Sequence, residues 1–173
     1  MANQLNAISP LDGRYSSSVK DLAAYFSESA LMRYRVTVEV EYLIALGSEK
    51  GIKELQSFTK EEQTKLRNIY RNFSASAANK IKEIELTTNH DVKAIEYFLK
   101  EAFDELGLQE FKEFIHFGLT SQDINNTAVP LSIRNAIEEN YLPHLKRILK
   151  SLKGKVKEWK EVPMLARTHG QAA

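Results

Sequence analysis

A histidine suited to proton transfer lies in the sequence RTHGQ, at residues 167–171. His169 falls outside any apolar stripe, and an imidazole can gain or lose a proton near neutral pH. Gly170 has no side chain, so a ligand can approach the backbone closely there. Thr168 and Gln171 add a hydroxyl and an amide next to this pair. These residue types predict general acid–base chemistry at His169.

The cluster DGRY, at residues 12–15, has the residue types of an anion site. Gly13 lets the backbone bend, and the planar guanidinium of Arg14 matches a phosphate or a carboxylate. The hydroxyl of Tyr15 stands beside it. Because Asp-Gly is also a common turn sequence, a purely structural role stays open for this cluster.

Two further clusters, TTNHD at residues 87–91 and TSQD at residues 120–123, stand at predicted helix starts. The free backbone N–H groups and the helix dipole favour an anion at such a position and disfavour an imidazolium. We therefore expect His90 in the first turn of one helix and a site that binds a carboxylate at the start of the other. The alternative is that Thr88 and Asp91 form a capping pair and that TSQD is an ordinary cap.

The two remaining histidines are weaker candidates. His116 lies in the aromatic run FIHF, which predicts a packed side chain or one that supports the site from behind. His144 lies among lysines on a predicted helix and is expected to be solvated. No histidine pair has the spacing with glutamate that a helical zinc site needs, so we predict no metal site.

Most of the chain is predicted to be helical, because apolar residues recur at steps of three and four and Gly and Pro are few. An irregular loop that contains Pro10 leads into a helix near Val19. The further helices are predicted over residues 28–47 with Gly47 as a cap, from a Thr59–Glu62 capping box, and from a Thr/Asn cap in TTNHD to Gly107. The alternation in VTVEVEY is typical of a strand, but the helical period on both sides outweighs it.

One long helix follows, of about 27 residues and about 40 Å. Its apolar stripe consists of Ile133, Ile137, Tyr141, Leu145, Ile148, Leu152, Val156 and Trp159. Pro143 is a candidate kink within it. A helix of this length is typical of a bundle, in which partner helices cover the stripe.

The composition is that of an ordinary soluble protein. Its 173 residues carry 24 basic and 23 acidic side chains, and a net charge of +1 provides no overall field for nucleic acid or a membrane surface. The absence of cysteine excludes disulfides, a thiolate nucleophile and a Cys-based zinc site, and it favours a cytoplasmic location. No targeting segment and no membrane span are predicted.

Taken in order, four segments resemble the signatures of the adenylosuccinate lyase family, which is part of the fumarase/aspartase superfamily. The segments are SPLDGRYSSSVKDL, TTNHDVKAIEYFLKE, EFIHFGLTSQDINNTA and PMLARTHGQ. The resemblance implies an all-α fold, with an N-terminal helical domain at residues 1–111 and the start of a central helical bundle at residues 112–173. It also implies a homotetramer, with no nucleic-acid or membrane partner.

The reaction that the resemblance implies is β-elimination of fumarate from adenylosuccinate, which gives AMP, and the analogous cleavage of a succinyl-carboxamide ribotide in purine biosynthesis. His169 would be the general acid that protonates the departing nitrogen, with Thr168 and Gln171 beside it. Hydroxyls, amides and arginine can stabilise the developing negative charge, so no metal and no organic cofactor is implied.

The remaining positions that match the family's motifs would bind the substrate. They are Arg14 and Tyr15 for the nucleotide and chiefly its phosphate, Asn89, His90 and Asp91 for the substrate pocket, and Thr120 and Ser121 for a succinyl carboxylate.

Two departures bear on activity. Ala172 stands where the family has proline. The serine-bearing loop that supplies the family's base lies downstream of the motifs matched here, so we expect this chain to be an N-terminal fragment that is inactive alone.

Two alternatives stay open. Another lyase of the superfamily could act on argininosuccinate or fumarate, although DGRY and TTNHD together favour a nucleotide. A non-enzymatic helical scaffold could carry caps that mimic a site, although a scaffold gives no reason for distant motifs to converge.

Overall fold

The structure, a computed structural model, describes residues 4–165 and 167–172. The chain divides into two compact units, Met1–Ala136 and Ile137–Ala173. The predicted all-α fold is confirmed. The helices are α1 Ala23–Phe26, α2 Glu28–Leu46, α3 Lys60–Arg71, α4 Ala75–Thr88, α5 Asp91–Leu106, α6 Ser121–Asn135 and α7 Leu142–Trp159, with short 3₁₀ helices at Gln4–Asn6, Lys20–Leu22 and Gln109–Phe114.

The core of the first unit is built around α2 and α5. Helix α2 packs against α3, α4, α5 and α6, and α5 packs against α4 as well. Each fully buried aliphatic or aromatic side chain contributes about 1.5–3 kcal/mol of transfer free energy. Core side chains with no more than 1% exposure include Val36, Val40, Leu43, Leu66, Ile81, Ile95, Leu99 and Phe103.

Helix α2 confirms the helical prediction for residues 28–47 and therefore the choice against a strand in VTVEVEY. The Ser27 hydroxyl accepts a hydrogen bond from the N–H of Ala30 at 3.1 Å and caps the start of the helix. Gly47 follows the end with a φ of −63°, so it is not a left-handed cap. A Cβ at Gly47 would lie 3.1 Å from both the carbonyl oxygen of Gln56 and the ring of Phe58, and this close approach favours glycine.

Helix α3 begins with the predicted capping box. The N–H of Thr59 donates to Glu62 Oε2 at 2.7 Å, and the N–H of Glu62 donates to Thr59 Oγ1 at 3.3 Å.

Helix α4 was not predicted, and the reason lies in its pattern. Only Ala78 and Ile81 are buried on it, so its apolar stripe is too short to give a strong helical signal.

The long helix predicted near residues 133–159 is present, but it starts earlier and contains an irregular turn. A π-helical segment, Ala136–Tyr141, lies between α6 and α7 in the sequence, and Pro143 is the second residue of α7. Because proline has no N–H to donate, this widened turn falls where the regular hydrogen bonding would be interrupted. The eight side chains of the predicted apolar stripe are 44–69% exposed in this chain.

The second unit ends in a small hairpin that was not predicted. Strand β1, Arg167–Thr168, pairs antiparallel with β2, Gln171–Ala172. His169 and Gly170 connect the strands with φ angles of 49° and 80°, the left-handed backbone of a two-residue turn. The predicted domain boundary between residues 111 and 112 stays a prediction. In the described part of the chain, no helix is long and apolar enough to cross a membrane.

Candidate functional site

His90 lies at the boundary between α4 and α5. Helix α4 ends at Thr88, Asn89 has a left-handed φ of 52°, and His90 is the N-cap of α5. The prediction that His90 lies in the first turn is therefore wrong by one position. The proposed Thr88–Asp91 capping pair is also wrong, because the Thr88 hydroxyl donates instead to the carbonyl oxygen of His90 at 3.2 Å.

The hydrogen bond that caps α5 determines the tautomer of the neutral His90 ring. Nδ1 accepts a hydrogen bond from the N–H of Lys93 at 3.1 Å, so that nitrogen carries no proton. The proton of the neutral ring is then on Nε2.

The start of α6 is an ordinary cap as well as a candidate site. The N–H and the hydroxyl of Thr120 both donate to Asp123 Oδ2, at 2.7 Å and 2.8 Å, and these two hydrogen bonds lower the pKa of Asp123. The carboxylate is thus held in its ionised form. Ser121 is the first residue of the helix, and its side chain takes no part in this cap.

The two helix starts meet at one pocket. Nε2 of His90 lies 3.3 Å from Oγ of Ser121, and with the proton on Nε2 the ring donates to the hydroxyl. The pocket has a volume of about 330 Å³. Its polar lining consists of His90, Lys93, Glu96, His116, Thr120 and Ser121. The structure therefore brings TTNHD and TSQD together, as a shared site requires and a pair of unrelated caps does not.

The charges on one wall of the pocket are paired with each other. Glu96 accepts from Lys93 at 2.7 Å and from Lys100 at 3.2 Å. Burial raises the pKa of Glu96, but the hydrogen bonds from the two lysines outweigh this effect and the pKa is lowered overall. An anionic ligand in the pocket would thus meet the ammonium group of Lys93, which is already paired with Glu96.

Asp91 is bound from behind by a buried arginine. Arg35 Nη2 lies 2.7 Å from Asp91 Oδ2, and Arg35 Nε donates to Asn125 Oδ1 at 2.9 Å. Burial acts to raise the pKa of Asp91, whereas hydrogen bonds from the Val92 N–H and from Arg35 lower it, and the lowering prevails. Arg35 on α2 therefore ties the start of α5 to α6. A direct substrate contact of Asp91, or of Asn89, stays a prediction.

Methionine in place of Arg35 is expected to loosen the starts of α5 and α6, because the ion pair to Asp91 and the hydrogen bond to Asn125 are both lost. The Asp91 side chain is 50% exposed and can be rehydrated, so we expect a cost of about 2 kcal/mol rather than that of a fully buried pair. Amide exchange at residues 90–95 should be about 30-fold faster, measured by hydrogen–deuterium exchange.

Arg33 provides the matched control for that experiment. It lies on the same helix, and its guanidinium donates to the carbonyl oxygen of Ala24 at 2.9 Å. Methionine at this position should leave the exchange of residues 90–95 unchanged. Equal exchange in the two variants would show that Arg35 does not hold the start of α5.

Arg14 and Tyr15 lie in a turn of the N-terminal segment. The guanidinium of Arg14 lies 5.3 Å from the centre of the Tyr15 ring, and Tyr15 is 45% exposed. Among the contacts that the structure describes, none joins this pair to His90 or Ser121. A phosphate-binding role for the two residues stays a prediction.

His169 and Gln171 are exposed in the hairpin of the second unit. His169 occupies the first turn position, where its positive φ directs the chain back on itself. The roles predicted for His169, Thr168 and Gln171 stay predictions. No group of three His, Cys, Asp or Glu residues that could hold a metal occurs in the described ranges 4–165 and 167–172.

Sequence reasoning missed two buried charges on α2, Arg35 and Glu39, and it assigned His116 only a packed or supporting role. Arg35 is 8% and Glu39 2% exposed. Their signal is visible in RVTVEVEY, where charges four residues apart interrupt an otherwise apolar helix, and a buried charge requires a partner. The partner of Glu39 is His116, at 2.5 Å.

The fold and the site define an all-α protein with a pocket at two helix starts that is lined by His90 and His116. A family model described as Lyase matches residues 13–173. The chain belongs to this lyase family.

Three similar proteins each bear the name adenylosuccinate lyase. The protein from Dictyostelium discoideum is 56% identical over 175 residues, which cover 99% of this chain and 38% of the relative. The protein from Haemophilus influenzae is 47% identical over 170 residues, covering 98% of this chain and 37% of the relative. The protein from Escherichia coli K12 is 44% identical over 172 residues, covering 99% and 38%. The chain thus spans less than two-fifths of the length of these relatives.

Proposed function

We propose that the full-length protein to which this chain belongs is an adenylosuccinate lyase. It cleaves adenylosuccinate to AMP and fumarate, and it cleaves the succinyl-carboxamide ribotide in the same way. The observation that carries the proposal is the 3.3 Å approach of His90 Nε2 to Ser121 Oγ, which joins two distant motifs at one pocket. The similarity to relatives that bear this name supports it.

The elimination requires three kinds of group. The C–N bond breaks while the leaving nitrogen gains a proton and the neighbouring carbon loses one, and donors must stabilise the carboxylate beside that carbon. We assign to His169 the role of the acid that protonates the leaving nitrogen. Thr120 and Ser121 at the start of α6 bind a succinyl carboxylate, for which the Thr120 hydroxyl exchanges its hydrogen bond to Asp123 for one to the ligand. Arg14 and Tyr15 bind the phosphate. The base is expected on the remainder of the full-length protein.

Association and location form part of the same proposal. The exposed apolar stripe from Ile133 to Trp159 is the type of surface that partner helices cover in a bundle, which supports a homotetramer of the full-length protein. We further propose a cytoplasmic enzyme, a chain that is inactive in isolation, and a boundary between the N-terminal domain and the bundle near residues 111–112.

A substrate panel on the purified full-length protein tests the function. We expect turnover of adenylosuccinate, measured as the release of fumarate and AMP, and no turnover of argininosuccinate or hydration of fumarate. Activity with argininosuccinate alone would move the protein to another branch of the superfamily. No turnover of any substrate, with no perturbation of Arg14, His90 or Ser121 by a phosphate analogue, would favour the scaffold.

A further inference from the structure

Helix α2 carries a carboxylate that is enclosed behind the pocket. The side chain of Glu39 has no exposed surface. Its Oε1 lies 2.5 Å from Nδ1 of His116, and among the described residues its Oε2 has no hydrogen-bond partner. Burial raises the pKa of Glu39, and the charge of Glu96 adds to this effect, against the opposing influence of His116. The carboxylate is therefore in an unfavourable environment that His116 only partly offsets.

His116 is itself held in an uncommon backbone conformation. Its φ is 60°, and that of Gly118 is 70°, so the segment 116–118 contains two left-handed residues. A non-glycine residue with this backbone is held there by its surroundings. Two contacts from α2 do so: the Glu39–His116 hydrogen bond, and the Tyr42 hydroxyl, which donates to the carbonyl oxygen of Phe117 at 2.9 Å.

The ring of His116 links α2 to the candidate site. The side chain is 17% exposed, and it lines the same pocket as His90 and Ser121. Because Nδ1 is turned toward Glu39, Nε2 is the nitrogen left for a ligand in that pocket. The hydrogen bond engages Nδ1 whether the proton lies on nitrogen or on oxygen, so it fixes the direction of the ring in either state.

We propose that Glu39 is a positioning residue for the reaction, and that it acts by holding the imidazole of His116 with Nε2 directed to the substrate. The inference rests on the proposed lyase function for its kinetic consequence. An apolar residue at this point of the core would avoid the desolvation of a carboxylate. Packing alone therefore does not explain the presence of a carboxylate at position 39. The need to orient an imidazole in the pocket does explain it.

A double-mutant cycle on the full-length protein tests this inference. Glu39→Ala should lower kcat/KM for adenylosuccinate about 10–100-fold, and Glu39→Gln should lower it less, because an amide can still hold the ring through a hydrogen bond. In a His116→Ala background, Glu39→Ala should change kcat/KM by less than about twofold, since Glu39 acts only through His116. Tyr42→Phe is the matched control, which removes the other contact to the same turn and should cost less than about threefold.

Additive effects of Glu39→Ala and His116→Ala on kcat/KM would overturn the inference, because they would show that Glu39 affects catalysis independently of His116. If Glu39→Ala fails to fold, Glu39→Gln replaces it in the cycle. Crystal structures of the full-length protein and of its Glu39→Ala variant give a readout that does not depend on activity. We expect the His116 ring to be reoriented or spread over several conformers in the variant.

The two proposals can fail separately. If the wild-type protein cleaves no adenylosuccinate, the proposed function is wrong, and the crystal structures still decide the role of Glu39. An unchanged His116 ring in the Glu39→Ala structure, together with unchanged kinetics, would reject the positioning role while leaving the lyase function intact.

Discussion

Alanine in place of His169 is expected to lower kcat for adenylosuccinate cleavage by the full-length protein about 10²–10⁴-fold, the usual contribution of a positioned general acid. The departing nitrogen leaves poorly without a proton, and imidazole is the side chain best suited to supply one near neutral pH. KM should change much less than kcat, because the proton is transferred in the transition state. Steady-state kinetics with fumarate release as the readout measure both parameters.

The backbone of His169 requires a second variant. Its φ of 49° is unfavourable for alanine, so alanine could distort the hairpin as well as remove the acid. Asparagine tolerates this conformation and provides no proton near neutral pH. His169→Asn should therefore be as inactive as His169→Ala, and near-normal turnover by His169→Asn would reject the acid assignment. His144→Ala is the control, because His144 is exposed on α7 and contacts Arg147.

Much of the helical architecture is predictable from the sequence, because it depends on local signals. The capping box at Thr59 and the apolar periods of α2 and α5 each specify a helix through contacts within a few residues. Helix α4 has only a short apolar stripe and was missed. The hairpin around His169 was also missed, because a pair of two-residue strands is too short to produce a periodic signal.

The candidate site is less predictable, since it depends on contacts between distant residues. The motifs containing His90 and Ser121 were identified from residue type. The contact between these two residues, which are 31 positions apart, depends on the tertiary structure. The alternative of a simple cap was right for TSQD, where Thr120 is the N-cap, but wrong for TTNHD, where His90 and not Thr88 is the N-cap. Capping and ligand binding therefore use the same residues here, and sequence pattern alone does not separate the two roles.

The buried charges of α2 show the second limit of sequence reasoning. Helical periodicity assigns residues to a buried or an exposed face by hydrophobicity, so Arg35 and Glu39 read as surface residues. In the structure both are buried, and each binds a segment that carries a candidate site residue. A charge is buried when a specific partner offsets its desolvation, and that partner is known only once the fold brings it close.

Alanine in place of Phe103 is expected to destabilise the first unit by about 3–5 kcal/mol, the usual cost of deleting a buried aromatic side chain. Phe103 is 1% exposed in the core cluster and lies on α5, the helix that begins at His90. Since 1.4 kcal/mol is a factor of ten, amides of α4 and α5 in the full-length protein should exchange at least about a hundredfold faster.

Phe26→Ala is the control for that experiment, because Phe26 is 56% exposed and its replacement removes little buried surface. It should leave the exchange of α4 and α5 unchanged, and equal exchange in both variants would show that Phe103 is not a core residue. At a temperature where the Phe103→Ala protein stays folded, kcat should remain within about threefold of wild type, because its side chain lies in the core cluster and does not line the pocket. Loss of stability with retained kcat would thus separate the residues that support α5 from those, such as His90, that α5 presents to the substrate.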